Sequence, residues 1–422
     1  MSIPEISNTN SPKPIKGSEH ENTTSTSKPS LENPEAPSLK IEKVRTDPTI
    51  YPKSEAILKN GSIEIFRTLA SLVGVKAGKK VLALGEKHTA GSKSRKFLLD
   101  NLKNFQELLG KNFVIGLEIA EPEEGLQGFR ESILDIKEIC KELKIPIKIA
   151  EVFYGKNFPT EGEMEGLTMV PQYTGGDSLQ FIKDLYQKAT KESKIDILPV
   201  DFSSIDSSRR SPYEDMLDKL IGGFVNKLFD QNTMIFNEDL KKSFVILSLK
   251  FASRLRDLQI KREETMASKM QGVLDEGRNV LFYGGKYHVG YESTSNYPSA
   301  LRILKDKGLK TVSVSMEDPK DYLAYDREKR LKRAKKFDEM MVEFKKLLGG
   351  EIPPDLQKGF DYLSVYRVQE IKDLSSSIVP GKVKSPMIFK TDSCKEISQL
   401  KLDDMSEELS FKDAFDAVLI AA

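Results

Sequence analysis

Three features of this sequence predict an α/β fold: a central mixed, mostly parallel sheet covered by helices on both faces. Short apolar runs such as Val81-Leu82-Ala83-Leu84 and Val280-Leu281-Phe282-Tyr283 recur along the chain. Stretches with apolar residues at helical spacing separate them. The runs are also continuous rather than alternating, which is how a strand reads when both of its faces are buried. Strands and helices that take turns along a chain build a parallel sheet, and such sheets bind ligands beyond the carboxyl ends of their strands.

In order, residues 1–50 carry no aromatic side chain and are crowded with Ser, Thr, Asn, Pro, Glu and Lys. Too little apolar surface is present to offset the entropy of ordering, so this segment is predicted to be a disordered polar tail. From Tyr51 the globular part begins. A strand over Val81–Leu84 is followed by a helix from Ser94 to Leu109. The run Phe113–Ile119 is a second strand, and a helix follows near Leu126 to Leu143. Ile145–Phe153 and Ile195–Phe202 read as further strands. A long helix spans about Glu238 to Glu276, and Asn279–Tyr283 is another buried strand. Thr311–Met316 and Phe360–Val365 complete the strands. Residues 155–178, rich in Gly and Pro, exceed an ordinary connection and suit a lid or binding loop. The charge run from Asp326 to Lys336 has the spacing of a solvated helix face.

Composition excludes several classes. The 422 residues carry 65 basic and 64 acidic side chains, a net charge of +1. Such a balance argues against nucleic acid or an anionic membrane as obligatory partner. Two cysteines, Cys140 and Cys394, cannot build a disulfide framework or a Cys-based zinc site. No apolar run approaches the ~18 residues of a membrane span, and the amino terminus lacks a secretory signal. The expectation is a soluble protein, cytoplasmic by default, with non-classical secretion left open and a small molecule or a peptide as substrate.

Of the three histidines, His20 falls in the tail. The other two share one introduction. His88 ends VLALGEKH and His288 ends VLFYGGKYH, each with a Gly three residues earlier at the end of an apolar strand. A glycine there lets the chain turn sharply and point the histidine into the crevice. Glu86 lies on the same turn as His88, and Glu118 ends the neighbouring run FVIGLE. A carboxylate at a buried strand end needs a cation, a donor or a metal as partner. Asp201 is a weaker candidate of this kind. On the long helix the apolar stripe runs Phe251, Leu255, Leu258, then Met266, Met270 and Val273, and Arg262 takes the missing step.

No Gly-x-Ser-x-Gly elbow or P-loop is present. What remains is His88, Glu86, Glu118, His288 and Arg262, a set suited to activating water. In a metal-free version His88 is the base, held by Glu86 or Glu118, while Arg262 and His288 bind substrate or stabilise an oxyanion. In a metal-dependent version His88, His288 and Glu118 are ligands to a divalent metal. Two rivals are a haem- or metal-binding protein without turnover and a non-catalytic scaffold.

The ordered set LGEKH, GLE, KREETMA and GGKYH resembles the superfamily that joins erythromycin esterases, the ChaN haem-uptake lipoproteins, TraB proteins and Tiki metalloproteases. The likeness runs from about Val81 to Met316, and FDAVLIAA is similar to the closing strand of the esterase branch. It implies one α/β domain over 51–422, with a C-terminal helical and strand extension. Glu86 and His88 match the family's first motif, though one residue separates them here. Glu118, Arg262 and His288 match its second-strand glutamate, helical arginine and final histidine. The chain departs from the esterases in having one histidine where they usually show two in the second motif. It departs from the ChaN lipoproteins in lacking a lipidation signal.

Overall fold

Seven strands join in one sheet: β1 (Lys80–Glu86), β2 (Val114–Ala120), β3 (Asp196–Asp201), β4 (Val280–Gly285), β5 (Lys310–Glu317), β6 (Met387–Lys390) and β7 (Ala417–Ile420). Across the sheet the order is β3-β2-β4-β1-β5-β7-β6. Every neighbouring pair is parallel except β6 with β7. The computed structural model describes residues 61–74, 79–87, 92–154, 157–165, 176–201, 212–213, 216–217, 219, 238–292, 297–318, 327–366, 385–398 and 409–421. They lie in the compact unit that begins at Asp47. The tail of residues 1–50, His88 and half of the 155–178 loop (155–156 and 166–175) lie outside the described residues. No helix among those described is long and apolar enough to cross a membrane.

The helices are α1 (Gly61–Val73), α2 (Lys93–Asp100), α3 (Leu102–Leu109), α4 (Pro122–Glu142), α5 (Ile147–Tyr154), α6 (Glu161–Glu165) and α7 (Gly176–Tyr186). They continue with α8 (Glu238–Asp275), α9 (Lys286–Val289), α10 (Ala300–Asp306), α11 (Arg327–Leu347), α12 (Pro354–Tyr366), α13 (Lys395–Ser398) and α14 (Phe411–Ala414). Strand parity sorts the core. Leu82, Leu84, Ile115, Leu117, Leu281 and Tyr283 face a layer that includes α1, α2, α3 and α7. Val81, Ala83, Val114, Val280 and Phe282 face the second half of α8 and α10. The first half of α8 belongs to a separate helical core with α4, α5, α11 and α12.

Three expectations are corrected. Ile145–Phe153 is not a strand but leads into α5, with Ile145 and Ala150 packed in the helical core. A short apolar run does not declare its period, and here the position beside β2 is already taken by β3. Phe360–Val365 is likewise helical, within α12. Pro354 opens that helix, and Leu356, Phe360 and Leu363 form a buried stripe at helical spacing. The helix expected over Ser94–Leu109 is broken at Asn101, whose side chain donates to the carbonyl of Phe97 at 2.8 Å. The charge run does form a helix, α11, which starts at Arg327. The C-terminal strands are not appended: β7 pairs with β5 inside the main sheet.

Neither motif glycine, Gly85 or Gly285, adopts the left-handed backbone, and Gly85 acts by its size. Gly285 has φ −66°, and Gly85 is not among the positive-φ residues. A Cβ on Gly85 would lie 3.0 Å from the Cα of Lys286, so this glycine lets α9 rest on β1. A Cβ on Gly284 would lie 3.0 Å from the Glu118 carboxylate. Small residues here clear space at the strand ends for backbone and for charge.

Candidate active site at the strand ends

His288 sits on α9, directly after β4, and is buried. Its Nε2 is 2.9 Å from Glu118 Oε1, and its Nδ1 is 2.6 Å from Glu263 Oε1. Burial by itself disfavours the charged ring. The charges of Glu118 and Glu263 and their hydrogen bonds outweigh it, raising the pKa to about 10. At neutral pH the ring is an imidazolium that donates from both nitrogens.

Glu118 owes its position to an irregularity in β2, where the register against β3 shifts between Leu117 and Ala120. Its Oε2 accepts the backbone N–H of Gly285 at 2.6 Å. Its Oε1 also accepts from Arg262 Nη2 at 3.3 Å. The stronger partner of Arg262 is Asp201, the wholly buried last residue of β3. Nη2 and Nε reach its carboxylate at 2.7 and 3.1 Å. Arg262 Nη1 donates to Gln259 at 3.0 Å. Charges therefore alternate along Asp201, Arg262, Glu118, His288 and Glu263, and they tie the ends of β3, β2 and β4 to α8. Glu263 also accepts the N–H of Ala300, at the start of α10, at 2.7 Å.

The buried step on α8 is not the one expected. Gln259, Glu263, Met266 and Met270 are buried, whereas Arg262 is half-buried beside them. A shift of one residue thus exchanges the charge that faces the core. Arg262 does reach Glu118, but Glu86 is not part of this cluster. Glu86 shares its face of the sheet with Leu82 and Leu84, whereas Glu118 points towards α8. There Glu86 accepts from Tyr283 Oη at 2.5 Å, from Arg95 Nε at 3.1 Å and, at a long 3.5 Å, from Ser92 Oγ. The Arg95 guanidinium lies 5.3 Å from the centre of the Phe181 ring. The structure therefore splits the five expected residues. Glu118, Arg262 and His288 meet, Glu86 sits apart, and His88 lies outside the described residues.

Several members escaped sequence reasoning. Glu317 ends β5 as Glu118 marks the end of β2, and the same strand-end rule would have found it. It accepts from Lys286 Nζ at 2.8 Å and Ser315 Oγ at 2.7 Å, all three buried. Glu263 stands next to Arg262 in KREETMA, and a stripe continued through Gln259 would have found it. Tyr283 gave no signal, because only the pairing of β1 with β4 brings it to Glu86, and Arg95 reaches the same carboxylate from α2.

Of the metal-dependent set, His288 has both ring nitrogens engaged by carboxylates, so a metal would have to displace Glu118 or Glu263 and a proton to bind it, and His88 lies outside the described residues. Among the described residues no three His, Cys, Asp or Glu side chains converge to hold a metal ion.

No family model matches the chain, and no curated protein does. The comparison with solved structures finds a crystal structure of a protein from Bacillus cereus, 15% identical, covering 86% of this chain and 93% of that one, with a TM-score of 0.37. At that TM-score the likeness carries no argument about fold or chemistry.

Proposed function

We propose that this protein is a hydrolase that activates water at the carboxyl ends of the sheet strands, acting on a small molecule or a peptide. In this reading His88 is the general base. The observation that carries it is the double engagement of His288: a charged ring that gives both N–H groups to carboxylates cannot accept a proton. The base role then falls to His88, the other histidine introduced by a strand and Gly-x-x-His. His88 takes a proton from water as its oxygen attacks a carbonyl carbon, and negative charge develops on the carbonyl oxygen. Arg262 and His288 supply positive charge held in place before the reaction, which stabilises such an oxyanion without reorganisation. Glu118 orients both. The resemblance of LGEKH, GLE, KREETMA and GGKYH to the erythromycin esterase and Tiki superfamily supports hydrolysis, and the state of His288 favours the metal-free version.

The test uses chelator-treated, full-length protein. It is screened against ester and amide substrates and titrated separately with zinc, manganese and haem. Turnover should survive the chelator and fall by about 100-fold or more in His88→Gln. Tight, stoichiometric uptake abolished by His288→Ala would replace the reading with a metal or haem carrier. Neither turnover nor uptake would mark a non-catalytic scaffold.

A further inference from the structure

From Val312 onward β5 is buried, yet one of its faces is polar. Ser313, Ser315 and Glu317 stand at alternate positions, so they share that face, and all three are buried. Polar groups inside a sheet are costly unless each finds a partner. Here the partners belong to α9 or to the stripe itself. Ser313 Oγ donates to the carbonyl of Val289 at 2.7 Å. Ser315 Oγ and Lys286 Nζ both donate to Glu317 Oε1, at 2.7 and 2.8 Å.

The helix so held has four residues. It is a single turn, closed from the Gly290 N–H to the Lys286 carbonyl at 2.9 Å, and one turn cannot sustain itself. Its place is therefore fixed from outside. At the far end, Ser299 Oγ donates to the carbonyl of Gly290 at 2.5 Å, and the N–H of Tyr291 donates to that of Ala414 at 2.9 Å. At the near end, Lys286 reaches from the close of β4 to Glu317 on β5, and β1 lies between those two strands. Gly85 is the β1 residue in register with Ser315, and an added Cβ there would meet the Cα of Lys286 at 3.0 Å. The lysine thus crosses β1 at its glycine. Two residues further on, His288 lies between Glu118 and Glu263. A buried ion pair adds little net stability, but it fixes geometry.

We propose that Lys286 is a positioning residue for His288: bound to Glu317, which Ser315 holds in turn, it seats α9 across the end of β1 and keeps the His288 ring between its two carboxylates. The part this seat plays in turnover rests on the water-activating reading above.

The test follows the two ring N–H protons of His288 by NMR in full-length wild type, Lys286→Met and Lys286→Met/Glu317→Gln. The single variant leaves the buried Glu317 charge without Lys286. The double variant removes both charges at similar volume, a change that buried ion pairs commonly tolerate. Amides of α12, far from the seat in the helical core, report on the stability of the fold as a whole. In both variants the ring protons should exchange with water about tenfold faster, over and above any change at α12. On any ester or amide that is turned over, kcat should fall about tenfold with KM held within about twofold. Ring exchange that stays as in wild type in the double variant, or that rises only as much as α12 does, overturns the seat. Wild-type kcat in spite of faster ring exchange overturns its part in turnover. A protein that turns over nothing sinks the hydrolase reading alone, and the ring protons still judge the seat.

Discussion

His288 shows how two carboxylates overturn the usual behaviour of a buried imidazole. Burial favours the neutral ring, but Glu118 and Glu263 on either side hold the proton, and the folded-state pKa rises from the ordinary 6.5 to about 10. Folding is linked to that proton. The folded pKa lies above the unfolded one, so the contribution is complete below about pH 6.5 and is lost as the pH rises through about 10. Unfolding by urea across that window should show the wild type losing its lead over His288→Gln as the pH climbs. A lead that stayed constant would mean the ring is neutral in the native state. The neutral form would leave a lone pair facing one carboxylate, which is why the pair of acids matters more than either acid alone.

At the scale of elements, α8 carries most of the organisation. Its 38 residues run from the helical core to the sheet, and the polar step at Gln259, Arg262 and Glu263 falls where one core gives way to the other. The helix α12 rests on its first half at Gly359, where an added Cβ would lie 1.9 Å from the carbonyl oxygen of Leu249. Backbone cannot move aside there as a side chain would. Gly359→Ala should cost about 3 kcal/mol or more by forcing the helices apart. Gly272, in the second half of α8, is exposed, and its added Cβ meets nothing within 4 Å. Gly272→Ala should stabilise by about 0.5–1 kcal/mol through helix propensity. Urea unfolding of the two variants checks the pair. Equal effects would show that the α8–α12 approach is looser than this geometry.

Over the whole molecule, the compact unit begins at Asp47. The first fifty residues have no aromatic anchor and seven of the twenty prolines. Deleting residues 1–45 should leave the melting temperature within about two degrees. A drop well beyond that would show that the segment docks on the domain. The sheet itself is closed at one side by β6 and β7 from the far end of the chain, so truncation after β5 would expose its edge instead.

The α/β class and five of the strands were legible because a strand buried on both faces must be apolar at every position, and that constraint is local. So was the meeting of Glu118 and His288, which lie at or just past strand ends, whereas Arg262 joins them from beside the buried stripe rather than on it. The two misread strands, Ile145–Phe153 and Phe360–Val365, were short apolar runs whose period is ambiguous until a neighbour claims them. Sequence also placed Glu86 with Glu118, because both stand at strand ends. Only the tertiary structure separates them, through strand parity and the register that sets Tyr283 beside β1. It likewise decided that Glu263 rather than Arg262 is the wholly buried step of α8. It decided, too, that Gly85 is small to admit a neighbouring backbone. Composition and spacing report what a residue is and how often it recurs. Which face it meets, and whose charge lies opposite, is settled by contacts between segments far apart in the chain, as when Lys93 meets Asp318.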